Sequence, residues 1–488
     1  MKKTEFIPGS SMARFIPLIP AGMVLLAVMG FFAGQGDARM VFQIMPVLSV
    51  TEEYQDNFFS TKTGRQEEFI TAYALQFTAG ILHEKHQLFL SYSPTYKDYK
   101  NLDDRDRLNH YITVEGKLFP AKHTDLSYGL VYDGNSNDFT GESRRHQAYV
   151  SGTTQTKKST RLTYGHTYAD LYDRRARTGD YREHVKNTTR AGIDHQYGPR
   201  NYARATFLYE FDSYEQSDPD AYTRYMPAGS VSYWFTPKLG MDTGLSYDYR
   251  DFNDTDDYAR SVSGDVRLIR SLSKTFDAYV KYRHTYSETE AYTHQIFHPS
   301  AGIDWEMTPD SGISAGAGIL LHDWSDDQGD DMDWFLDLDM YKNFSFSPAT
   351  TLSVTGISGY DTAGDEAASL GFTTYYQAGA RLTHQMTRQL STSLTAAFRM
   401  DEYQERTVGR RDTRLILGAG MLWQPLKWLY VDFNYTFTDF NTTDDLFRQD
   451  YTDNRVFFTL RLVPEQPITP EIDPTRQSLE DRLFRWDR

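Results

Sequence analysis

The sequence predicts an all-β fold: a transmembrane antiparallel up-and-down β-barrel of about 22 strands, within bounds of roughly 18–22. Three observations carry that prediction. Apolar and polar residues alternate in segments of about 10 to 13 residues, the period of a half-buried strand. Tight connections alternate with long ones. The chain is also polar yet aromatic, with mean hydropathy −0.60 against 15% Phe, Trp and Tyr, including 35 Tyr and 30 Phe. That aromatic content is foreign to disordered chains. With no cysteine among 488 residues, a disulfide scaffold and a lipid-modified cysteine anchor are both excluded. Lys and Arg number 51 against 67 Asp and Glu, a net −16, the opposite of a nucleic-acid footprint, so no nucleic acid is expected as a partner.

The first element is a secretory signal over residues 1–38. Lys2, Lys3 and Arg14 precede the apolar stretch Phe15–Phe32, and Gly36 and Ala38 supply small residues at a cleavage site. The alternative is an inner-membrane anchor, since about 18 apolar residues can just span a bilayer. Pro17 and Pro20 interrupt that stretch and favour the signal. Cleavage after Ala38 removes three basic residues (Lys2, Lys3, Arg14) and two acidic ones (Glu5, Asp37), which takes the net charge to −17.

The barrel is expected over residues 39–462. Its first strand begins near Val41, and Pro46 makes the register there the least determined. Alternation is plainest further on. Phe276, Ala278, Val280 and Tyr282 oppose Asp277, Tyr279, Lys281 and Arg283. Trp334, Leu336, Leu338 and Met340 oppose Asp337, Asp339 and Tyr341; Leu394, Ala396, Phe398 and Met400 oppose Thr395, Arg399 and Asp401. Leu429, Val431, Phe433, Tyr435 and Phe437 oppose Asp432, Asn434 and Thr436. Tight connections such as His83–His86, Thr236–Lys238 and Met386–Gln389 belong at the periplasmic end. Long acidic ones such as Asp133–Ser143, Ser325–Asp331 and Asn441–Gln449 belong outside. A periplasmic β-sandwich or β-solenoid is the rival, but no linker divides the segment. The first strand follows the cleavage site so closely that no N-terminal plug domain is expected. The barrel should be open or closed by its own loops.

Tyrosines at strand ends (Tyr92, Tyr96, Tyr99, Tyr128, Tyr132, Tyr164, Tyr168, Tyr172, Tyr247, Tyr249, Tyr282, Tyr286) read as headgroup-level girdles. Few aromatics, among them Tyr111, Tyr279, Tyr341 and Tyr430, fall on the other face. Strand charge must face water, because Arg or Lys on the lipid face costs about 2–4 kcal/mol at the midplane. The lumen-lining candidates are therefore Arg204, Arg267, Asp277, Lys281, Arg283, Asp337, Asp339, Arg399, Asp432 and Arg455. Arg161, Arg190, Arg414, Arg461, Asp194, Glu210, Asp242, Asp248, Asp265 and Asp304 share their face. Mixed signs predict a polar wall without strong ion selectivity; salt bridging that stiffens the wall and solute contact are equally compatible with it.

No nucleophile elbow, zinc-protease helix, Walker loop or dinucleotide fingerprint is present, so neither an enzyme nor a cofactor is expected. His294 and His298 share a face but lack a third metal ligand. The Asp326–Asp331 loop lacks Ca²⁺-loop spacing and reads as a solvated loop, with divalent bridging to lipopolysaccharide phosphates as the alternative. Outer-membrane lipid and lipopolysaccharide are the expected surroundings. Residues 463–488 form a Pro-punctuated tail (Pro464, Pro467, Pro470, Pro474). Leu479, Leu483 and Trp486 suggest a short amphipathic helix there, able to dock a periplasmic component, to fold back into the lumen or to lie exposed.

The segment from Met45 to Phe59 resembles the P-x-L-x-V-x-E-x-Y-x-D-N opening of a family of outer-membrane β-barrel porins associated with exopolysaccharide and PEP-CTERM loci. Pro46, Leu48, Val50, Glu52, Tyr54, Asp56 and Asn57 carry the match. The resemblance implies an outer-membrane pore through which a secreted polysaccharide leaves the cell, and it implies no catalytic residues. A general diffusion porin for small solutes and a non-conducting structural barrel are the alternatives.

Overall fold

A computed structural model describes residues 41–465, apart from 84, 103–104, 135–142, 175–180, 216–220, 254–256, 291–292, 310, 325–330, 362–371, 405–409 and 444–449. The expected signal over residues 1–38, most of the Pro-rich tail where a helix is expected, and Asp326–Asp330 thus lie outside the described residues.

The described chain forms a single 22-stranded sheet. The strands are β1 Val41–Gln55, β2 Glu68–Leu82, β3 His86–Tyr99, β4 Arg107–Ala121, β5 Thr124–Gly134, β6 Arg144–Lys157, β7 Thr160–Arg174 and β8 Tyr181–Gln196. They continue as β9 Tyr202–Tyr214, β10 Tyr222–Thr236, β11 Leu239–Phe252, β12 Tyr258–Ser271, β13 Phe276–Thr289, β14 Thr293–Thr308 and β15 Ser311–Trp324. The last are β16 Asp331–Ser347, β17 Thr350–Asp361, β18 Phe372–Thr387, β19 Leu390–Gln404, β20 Arg410–Leu426, β21 Leu429–Thr442 and β22 Tyr451–Leu462. Each pairs antiparallel with its sequence neighbours, and β1 also pairs β22 from Leu48↔Leu462 to Gln55↔Arg455. That last ladder closes the ring. At about 4.8 Å between strands and a tilt of about 40°, such a ring is roughly 40 Å across.

Connections of two to five residues lie at one end and connections of three to twelve at the other. The two faces separate by packing. Side chains on a concave wall converge, so strands that are not neighbours touch there: Lys281 of β13 reaches Asp337 of β16 at 3.0 Å, across β14 and β15. The opposite face carries exposed Leu245, Val266, Leu268, Val280, Trp305, Leu336, Leu394 and Phe398. It is the outward face.

Charge keeps to the inward face only through the middle of the strands. At the loop end, Arg260 pairs with Glu288 on the outward face, and Glu288 also accepts from Tyr258 (2.6 Å) and Tyr286 (2.5 Å). Arg144 likewise meets Glu183 at 2.8 Å and lies over the Tyr172 ring. The strands run 11 to 17 residues, and these charged pairs stand at their loop ends, beyond the apolar belt of the outward face.

The tyrosines do not all mark strand ends. Tyr128 lies on Gly116 of the adjacent strand, where an added Cβ would come 2.1 Å from its ring, and Tyr164 sits similarly on Gly152. Tyr99 is a correction: it points inward, fully buried with Phe58 and Ile70 under the β1–β2 connection. Alternation fixes its face, and the loop that covers it has no signal in strand periodicity.

Candidate functional site

The inward wall holds all ten sequence-selected residues, and most of their charge is paired. Arg204 and Arg161 both clasp Asp194, the latter at 2.9 Å. Arg267 pairs with Asp304 and stacks on Tyr279, 3.8 Å from the ring centre. Asp277 accepts from Ser271 Oγ at 2.5 Å and lies 3.7 Å from Arg200. Lys281 and Asp337 are the two of the ten that pair with each other. Arg399 grips Asp401 (2.7 Å), Arg455 donates to Asp453 (2.7 Å), and Asp432 accepts from Asn434 (2.7 Å). Arg283 lies over the Tyr360 ring, and Asp339 faces Ser314 across the ladder.

Sequence reasoning passed over several inward groups: the pairs His184–Asp212 at 2.7 Å and Arg410–Asp412 at 2.5 Å, and Arg224, which meets the expected Asp248 at 2.5 Å. One signal was available. Arg399/Asp401, Arg410/Asp412 and Asp453/Arg455 each place opposite charges two residues apart, on one face of one strand. Among the described residues no group of three His, Asp or Glu could hold a metal ion.

Two features break the uniformity of this wall. Near the turn end, a recess of about 720 Å³ lies between β6 and β11, and Lys158, Arg161, Arg200, Arg204, Asp194, Asp242 and Trp234 line it. Arg200 stacks on Trp234, 3.2 Å from the ring centre, and the Asn201 Oδ1 accepts the Trp234 backbone N–H at 2.8 Å.

The second is a lapped seam. The β16–β17 ladder stops at Asp339↔Ile357, although β16 continues to Asp331 and β17 to Asp361. The β17–β18 ladder runs on without a shift to Asp361↔Thr373. Thr355 and Ile357 share the inward face with Tyr341 and Asp339, so Ser358 and Tyr360 belong to the outward side of their sheet. Yet Tyr360 packs on inward-facing Ile296, Leu320 and Phe335 and lies beneath Arg283 of β13. Four strand spacings, roughly 19 Å, would separate β13 from β17 in an even wall. The loop ends of β17 and β18 therefore step inside β16, outward side against inward side. Tyr376 of β18 joins through Phe335 at 6.3 Å.

Fold and wall together define a closed, antiparallel β-barrel with a charge-lined interior, the architecture of porins and barrel receptors. The family model described as "Putative beta-barrel porin 2" matches residues 32–172 and 343–463, more than half of the chain, and the protein belongs to that family. A mutant ferric enterobactin receptor (PfeA) from Pseudomonas aeruginosa has a similar structure, with TM-score 0.53 and 9% identity over 86% of this chain and 80% of that one. The siderophore receptor PirA from the same organism gives 0.52 and 11% over the same shares, and PirA from Acinetobacter baumannii 0.50 and 7%. At such identities the likeness is one of fold. No curated protein matches.

Proposed function

We propose that the protein is an outer-membrane pore, a passive conduit for hydrophilic solutes. One observation carries this: the inward face is charged and polar along its strands, and every described residue belongs to the wall or to a connection. Two further features support the membrane setting. The outward belt is apolar with aromatic ends, and on β13 it runs from Phe276 to Tyr286, close to the ~9–11 residues of a spanning strand. The polar knots at the loop end suit lipopolysaccharide headgroups.

Planar-bilayer recording tests it. Folded, heat-modifiable protein should give discrete conductance steps; folded protein that never conducts would sink the reading. Export of a secreted polysaccharide, which the sequence resemblance implies, is a special case of the conduit. Gene deletion separates the two: unchanged surface polysaccharide with reduced small-sugar uptake assigns the protein to diffusion.

A further inference from the structure

The lapped seam presents an apolar path through a wall that is otherwise polar inside. On its outward side stand Met332 (56% exposed), Trp334 (77%) and Leu336 (47%). Behind it Ile296, Leu320 and Phe335 are at most 4% exposed, with Tyr360 packed over them. Where a ladder would join β16 to β17, one side chain substitutes: the Leu338 N–H donates to Ser358 Oγ at 2.8 Å, and that hydroxyl donates to the Leu336 carbonyl at 2.5 Å. Backbone in hydrocarbon must find partners. Among the described residues the seam is held by one hydroxyl and by ring packing, and it can part at less cost than a full ladder, because fewer hydrogen bonds must be re-formed elsewhere.

The polar groups behind the seam have a matching chemistry. Arg283 and His298 are cross-strand partners, and both face the Tyr360 ring. His298 is 1% exposed, and neither of its ring nitrogens has a hydrogen-bond partner. A buried polar group without a partner is rare and calls for an explanation. A carboxylate placed between Arg283 and His298 would supply it, with charge-assisted bonds from the guanidinium.

We propose that the seam is a lateral portal and the pocket behind it a binding site for a long-chain carboxylic acid. The acyl chain enters from the outer leaflet past Leu336 and lies on Ile296, Leu320 and Phe335. The carboxylate meets Arg283 and His298. Tyr360 fills the place of the chain in the closed state and swings inward to admit it. The proposal rests on the membrane setting above but not on conductance.

Photolabelling of the protein in nanodiscs tests it, using a diazirine-bearing fatty acid and the corresponding fatty alcohol. The acid should label peptides carrying Phe335 and Tyr360, and Arg283→Gln should reduce that labelling by about tenfold without altering heat-modifiability. The chain has no cysteine, so Leu338→Cys with Ser358→Cys gives the only thiols. Their disulfide should abolish inward labelling, and reduction should restore it. Wild-type labelling confined to outward residues such as Trp334 overturns the portal. Equal labelling by acid and alcohol overturns the carboxylate site. Conductance of the stapled protein is read separately and should be unchanged, so a barrel that labels inwardly yet never conducts would fail the pore reading alone.

Discussion

Asn57 is fully buried, and its side chain ties the β1–β2 connection to β22. Its amide nitrogen donates to the carbonyls of Thr61 and Thr452, both at 2.8 Å, while its oxygen accepts the Thr61 N–H at 3.0 Å. Beside it, Asp56 accepts the backbone and side-chain N–H groups of Asn454 at 2.7 and 2.6 Å. Asn57→Ala leaves those backbone groups unpaired and should cost about 1–3 kcal/mol. The cost would show as a lower temperature for the heat-modifiable shift on semi-native gels. Gly116 gives a second expectation at this scale. Gly116→Ala forces the Tyr128 ring off its seat and should cost about 1 kcal/mol, the mild end of overpacking. The midpoint of urea unfolding from vesicles would report it. The alternation of residue types places mid-strand charges such as Lys281 and Asp337 on one face, because period two is a local property; it does not place the outward Arg260–Glu288 pair at the strand ends. It could not foretell that Asn57 and Tyr99 are buried, because loop packing covers both.

At the scale of elements, the opening motif acquires a physical meaning. Leu48, Val50, Glu52 and Tyr54 share the outward face of β1, where Leu48 is 46% exposed. Asp56 and Asn57 then extend the β1–β22 closure beyond its last backbone pair, Gln55↔Arg455. Further out, Lys62 and Asp450 join the two flanking connections at 3.0 Å. Asp450 accepts the Thr442 N–H, and this bond, with the Lys62 ammonium, holds its carboxyl below the usual carboxylate range. A carboxylate depressed in the folded state stabilises above its unfolded value, near pH 4, and loses that contribution as pH falls through the folded value. Proteolysis of the β1–β2 connection should therefore accelerate below about pH 4. In Asp450→Asn it should already be fast at neutral pH and should lose that dependence. The lapped seam was not legible in sequence at all. Ile357 inward and Ser358 outward break the apolar–polar alternation of β17, but such a break does not say that the strand steps inside its neighbour, which depends on where β16 lies, a non-local matter.

The inward ion pairs make an argument at the scale of the whole molecule. A chain of net −16 could be expected to line its pore with negative potential and favour cations. The wall instead neutralises itself locally, as in Arg224–Asp248, Lys281–Asp337 and Arg399–Asp401. Paired charges present dipoles rather than a net field, and across a lumen this wide salt screens what remains within about 8 Å at physiological ionic strength. Reversal potentials in a KCl gradient should therefore lie near zero for wild type. The recess between β6 and β11 is the exception, because Lys158, Arg161, Arg200 and Arg204 outnumber Asp194 and Asp242, which line it with them, even with Asp277 3.7 Å from Arg200. Replacing Arg161 and Arg204 together by Ala strips both partners from Asp194 and removes this local excess of positive charge. The reversal potential should then move toward cation preference, most strongly at low salt. A double variant as unselective as wild type at low salt would show that the recess lies off the ion path.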